Sequence, residues 1–117
     1  MKSLDSFTRQ YIETALWSST DENMEPLDKN FSIDDIDSAT LEIMVRDCKL
    51  FQTHYSDWLG ENDSEKAGHD FWLTRNGHGA GFWDGDWPIN GELLTKWSKM
   101  FGEFNLFVGD DGKLFGV

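Results

Sequence analysis

At 117 residues, with 38% hydrophobic and 15% aromatic side chains, the chain has the length of one domain and enough apolar area to exclude intrinsic disorder. Its 22 Asp and Glu against 10 Lys and Arg leave a formal charge of −12, which disfavours direct binding to nucleic acid or an anionic membrane and favours basic partners. The single cysteine, Cys48, excludes an intrachain disulfide, and no apolar run nears the roughly 20 residues of a membrane span. The expectation is one acidic α+β domain over residues 1–117, cytoplasmic, with no cofactor.

Leu4, Phe7, Tyr11, Ile12, Ala15 and Leu16 follow the one-face spacing of an amphipathic helix and predict one over 4–17. Residues 21–37 contain Pro26, lack periodicity and read as an ordered acidic loop. Asp37 or Ser38 can cap a second helix over 38–59, striped by Leu41, Met44, Cys48, Phe51, Tyr55 and Trp58 and stopped at Gly60. After Gly68, two aromatic runs flank Asn76-Gly77, a strong hairpin signal, and predict strands within about 70–84. In that register Phe71, Leu73, Ala80 and Phe82 share a face.

Asn90 then caps a third helix over 91–101, with Leu93, Leu94, Trp97, Met100 and Phe101 directed inward. A second hairpin over 104–117 is turned by Gly109–Gly112. Pairing across Asp111-Gly112 groups Leu106, Val108, Phe115 and Val117. The predicted fold is therefore α+β, an antiparallel sheet from two hairpins covered by about three helices.

The densest run of special residues is Gly68-His69-Asp70-Phe71-Trp72-Leu73-Thr74-Arg75-Asn76-Gly77-His78-Gly79-Ala80-Gly81-Phe82-Trp83-Asp84. This string resembles that of small acidic proteins of phages and bacterial mobile elements. The likeness extends to Leu16-Trp17-Ser18, Ser32-Ile33-Asp34-Asp35 and Val108-Gly109-Asp110-Asp111-Gly112. The resemblance implies a phage or mobile-element origin and transfers no catalytic residues.

Read as chemistry, His69, Asp70, His78, Asp84 and Asp86 are residue types that bind divalent metals, and Arg75 with His78 at a hairpin tip could hold an anion. The predicted register places His69 and His78 roughly 15–20 Å apart at ~3.3 Å per residue, so no metal site is expected. His69 and Asp70 then serve to fix the start of a strand, and Arg75 pairs with a local acid. The glycines of 76–81 lack the Lys-Ser/Thr ending and following helix of a phosphate-binding loop. Cys48, on an apolar stripe, reads as core.

The acidic excess is concentrated. Residues 1–70 hold 16 acids and 6 bases, and Thr20–Glu42 alone holds eight acids and one base. Asp21, Glu22, Glu25, Asp28, Asp34, Asp35, Asp37 and Glu42, followed by Asp57, Glu61, Asp63 and Glu65, could join into one negative surface. Carboxylates on a rigid scaffold can occupy the Lys and Arg rows with which proteins grip DNA. The ordinary reading is a solvated face that confers solubility.

The leading expectation is a non-enzymatic phage-type binding protein, a DNA mimic or anti-defence inhibitor. Its partner is a basic host nuclease, restriction, CRISPR or repair protein, and it acts as a monomer or homodimer. The alternative is a small enzyme or ligand-binding domain built on the 69–86 segment.

Overall fold

A computed structural model of the chain describes residues 4–21, 23–59, 64–77, 82 and 91–117. Helix α1 spans Ser6–Ser18 and starts at Asp5, whose carboxylate accepts the Thr8 amide at 2.8 Å. It buries Phe7, Tyr11, Ile12, Ala15 and Leu16, the face its spacing predicts. The acidic loop is ordered by two 3₁₀ turns, Leu27–Lys29 and Ile33–Asp35. Helix α2 spans Ser38–Leu59 and is capped by Asp37, whose carboxylate accepts the Thr40 amide at 3.3 Å. Met44, Cys48 and Phe51 of its stripe are buried.

The predicted hairpin over 70–84 is corrected. Its first strand is helical, part of α3 at Ser64–Arg75. Ala67, Gly68 and the whole run Asp70–Arg75 are buried, so the helix has no polar stripe to reveal its 3.6 period. A Cβ at Gly68 would meet the carbonyl of Phe7, so the bare glycine sets how closely α3 approaches α1. Asn76-Gly77 ends this helix. Gly77 has φ +74°, and its amide reaches back to the Thr74 carbonyl at 3.1 Å. A left-handed residue serves a helix end and a tight hairpin turn alike, which is why the signal misled. The predicted second strand lies outside the described residues, except that Phe82 is buried and its amide donates to Thr74 Oγ1 at 3.0 Å.

Helix α4, Gly91–Met100, turns Gly91, Leu94 and Ser98 to the core, with Trp97 and Phe101 packed against it. Leu93 and Met100 were expected inward but are 41% and 72% exposed. At ~100° per residue they fall off the face that Leu94 leads.

Strands β1 (Leu106–Val108) and β2 (Leu114–Gly116) pair antiparallel, Leu106 with Gly116, Phe107 with Phe115 and Val108 with Leu114. This is one residue off the expected register. The Gly109 amide donates to the Lys113 carbonyl at 2.8 Å, closing a three-residue loop in which Gly112 takes φ +79°. A one-residue slip exchanges faces. Leu106 and Leu114 are buried, whereas Val108 and Val117 are exposed and Phe115 stacks on exposed Phe107 at 6.0 Å.

The outer edge of β2 is tied to the start of α2. The Asp37 amide donates to the Leu114 carbonyl at 2.8 Å, and the Gly116 amide donates to Thr40 Oγ1 at 3.2 Å.

The described fold is α+β, four helices and one two-stranded antiparallel sheet, with helix dominant. Its core centres on Phe51 and Phe71, stacked at 4.2 Å, joined by Phe7, Tyr11, Phe82 and Phe101. Among the described residues no helix is long and apolar enough to cross a membrane.

Candidate functional site

Two sets of residues compete, and the helical α3 separates them. Arg75 was expected at a solvated hairpin tip. It is instead buried at the end of α3, where its guanidinium donates to Asp47 Oδ2 at 3.0 Å, Tyr11 Oη at 2.9 Å, the Gly102 carbonyl at 2.8 Å and the Phe101 carbonyl at 3.1 Å. Phe71, Phe101 and Phe104 surround it, with ring centroids 5.5–5.7 Å from its central carbon. These bonds join α1, α2, α3 and the chain after α4. Arg75 is therefore a structural hub whose donors are engaged by the protein itself.

Sequence reasoning placed Tyr11 on the apolar stripe of α1 without its bond to Arg75, and missed Asp47, which lies beside the stripe of α2 with no local motif. Burial pushes the Tyr11 phenol far above its ordinary range, although the Arg75 charge pulls the other way, so it remains a neutral bonding group. Cys48 sits in the same core, and burial raises its thiol well above the usual value, which removes it as a nucleophile.

His69 and Asp70 do stand together. His69 Nδ1–H donates to Asp70 Oδ1 at 3.0 Å, with Asp70 buried and His69 stacked on Trp17 at 5.8 Å. The strand geometry that separated His69 from His78 does not apply to a helix. His78, Asp84 and Asp86 lie outside the described residues, and among those described no group of three or more His, Cys, Asp or Glu gathers at metal-binding distance.

The acidic set has a different character. Asp28, Asp34 and Glu42 are exposed. Asp21, Asp35 and Asp37 are fixed by main-chain donors: Asp21 Oδ1 accepts the Asn23 and Glu25 amides at 2.8 and 3.0 Å, Asp35 accepts Ser32 at 2.8 Å, and Asp37 caps α2. Glu25 pairs with Lys29 at 2.9 Å in an exposed i,i+4 bridge. Several of these carboxylates therefore build the loop as well as charge it.

Asp57 lies near the far end of α2, fifteen residues and about 22 Å of helix beyond Glu42 at ~1.5 Å per residue. Glu42 and Asp57 are thus set far apart along the length of α2. Glu65 is exposed on α3, and Glu22, Glu61 and Asp63 lie outside the described residues.

Two surface grooves share Phe31 as a wall. One, of about 450 Å³, lies between α1 and the second 3₁₀ turn and is lined by Leu4, Ile12, Leu16 and Ile33 with Arg9 and Glu13. The other, of about 440 Å³, runs between Thr20, Asp21 and Asn23 on one side and the stretch Phe107–Asp110 on the other. Sequence reasoning anticipated neither, because each forms between segments distant in the chain. Comparison with protein-family models, curated proteins and solved structures finds no match to this chain.

Proposed function

We propose that this chain is a non-enzymatic, phage-type binding protein that occupies the basic DNA-binding surface of a host DNA-handling protein by presenting carboxylates in place of phosphates. The observation that carries the reading is the Thr20–Glu42 segment. Asp28 and Asp34 face solvent on a loop that Asp21 and Asp35 brace through main-chain hydrogen bonds, and Glu42 faces solvent in the α2 helix that Asp37 caps. Charges that are already ordered bind without the entropy cost of immobilising a flexible acidic tail.

Magnitude supports it too. The net charge of −12 on a body 43 Å long is about one charge per 3.6 Å, roughly half the density of duplex DNA at one per ~1.7 Å and close to that of one of its strands. The enzyme or ligand-site reading loses its cation, because Arg75 is sealed in the core by four hydrogen bonds.

The test is affinity capture from a nuclease-treated bacterial lysate, followed by elution with duplex DNA. A DNA-handling protein that elutes with DNA and with rising salt is the expected result. Partners that stay bound at saturating DNA would refute mimicry.

A further inference from the structure

The two edges of the small sheet are unequal. In the observed register Phe107 pairs with Phe115, and Asn105 and Val117 exchange both main-chain bonds at 2.9 and 3.0 Å, so odd-numbered residues of β1 face β2. The amides and carbonyls of Leu106 and Val108 therefore point away from β2; Leu106 is itself buried, so Val108 carries the accessible part of this edge. The outer edge of β2 is occupied by Asp37 and Thr40, but among the described residues no main-chain group pairs with the outer edge of β1. Beside it, Phe107 and Val108 are 43% and 39% exposed, and Phe107–Asp110 form one wall of the 440 Å³ groove. An open, partly apolar edge is a template for another strand.

We infer that β1 is a docking edge for an extended, basic segment of a partner protein, which adds as a third strand and lies in the groove between β1 and Thr20, Asp21 and Asn23. Charge selects the occupant. Asp21 and Asp110 line the groove and Asp111 is exposed in the adjoining turn, so alternate Lys or Arg side chains of the added strand meet carboxylates. A second copy of this chain would bring another −12 and the same acids to the edge, which disfavours self-pairing. Asp21 belongs to both readings, but the inference is tested apart from the acidic surface, because its affinity comes from main-chain hydrogen bonds at Val108 and makes no use of Asp28, Asp34 or Glu42.

The test uses the full chain and an acetylated, amidated Lys-Val-Lys-Val-Lys-Val-Lys peptide, titrated by calorimetry at 0.15 M salt. The wild type should bind it, and should bind neither the Glu-for-Lys peptide nor one N-methylated along the edge-facing side. Val108→Pro removes only an outward amide, a position that tolerates proline on an edge strand, and should lower affinity at least tenfold with an unchanged melt. Asp28→Asn with Asp34→Asn and Glu42→Gln should keep peptide affinity within about threefold.

Exchange of the Val108 amide in the wild type should slow when peptide is added, a readout that stands even if the proline variant folds poorly. Absence of peptide binding, equal binding of the Glu or N-methylated peptide, unchanged amide exchange, or unchanged affinity in a folded Val108→Pro protein would each overturn the assignment. So would loss of binding in the charge-removal variant, or a wild-type dimer abolished by Val108→Pro, which would give the edge to a second copy.

Discussion

Replacing Arg75 by leucine tests the helical reading of α3 and the exclusion of Arg75 from any ligand site. The substitution removes four donors at once and leaves the Asp47 carboxylate, the Tyr11 hydroxyl and two carbonyls facing an apolar side chain ringed by Phe71, Phe101 and Phe104. Breaking a buried ion pair from one side costs about 3–5 kcal/mol, because among the described residues the remaining charge keeps only the solvent-exposed Arg46, 3.6 Å from its other oxygen. For 117 residues, an unfolding entropy of ~2.1 cal/mol/K per residue gives about 0.25 kcal/mol per degree, so the melting temperature should fall by about 12–20 °C.

A companion variant, Arg75→Leu with Asp47→Leu, removes the stranded carboxylate and should recover part of that loss. Circular dichroism melts of the three proteins measure both effects. An Arg at a solvated hairpin tip would cost within about 0.5 kcal/mol. A single variant melting within 3 °C of wild type would therefore refute the buried hub, and with it the placement of α3.

Three further outcomes follow from the packing. Gly68→Ala should destabilise by about 1–3 kcal/mol in denaturant titration, because its methyl would press on the main chain of Phe7, which cannot turn aside. The Asp5 carboxyl is held below its ordinary value: partial burial opposes this, but hydrogen bonds from Thr8 and Gln52 prevail. A lowered folded value means that Asp5 contributes stability above about pH 4 and loses that contribution as pH falls through the folded value. The stability gap between wild type and Asp5→Ala should then be about 0.5–2 kcal/mol at pH 7 and narrow steadily in melts taken below pH 4. Cys48 should resist a thiol reagent at pH 8 in the native protein and react at once in denaturant, since burial keeps its thiol protonated.

Much of this architecture was legible from residue spacing, and the losses have physical causes. α1 and α2 each present one apolar stripe to the core, so Phe7, Tyr11, Ile12, Met44, Cys48 and Phe51 were identifiable from period alone. α3 escaped because burial on nearly all sides erases the stripe, and because Gly77 needs the same positive φ whether it ends a helix or turns a hairpin. The second hairpin was found but misregistered, since Gly112 fits both a two-residue turn and the three-residue loop that forms. At the candidate site, charge composition pointed to the acidic loop. That Asp21, Asp35 and Asp37 also brace it depends on main-chain amides whose direction no composition reveals.

Asp28, Asp34 and Glu42 are the sites for charge removal, because they are exposed and, unlike Asp35 and Asp37, close no turn. The measurement that tests DNA mimicry most directly is an equilibrium competition on a captured DNA-handling partner, preloaded with a fluorescent duplex at 0.15 M salt. Wild-type chain should displace the duplex completely. Asp28→Asn with Asp34→Asn and Glu42→Gln should require at least tenfold more protein while melting no lower than wild type, since relieving like-charge repulsion does not destabilise the fold. A ternary complex of partner, duplex and wild-type chain, or equal displacement by the charge-removal variant, would contradict mimicry.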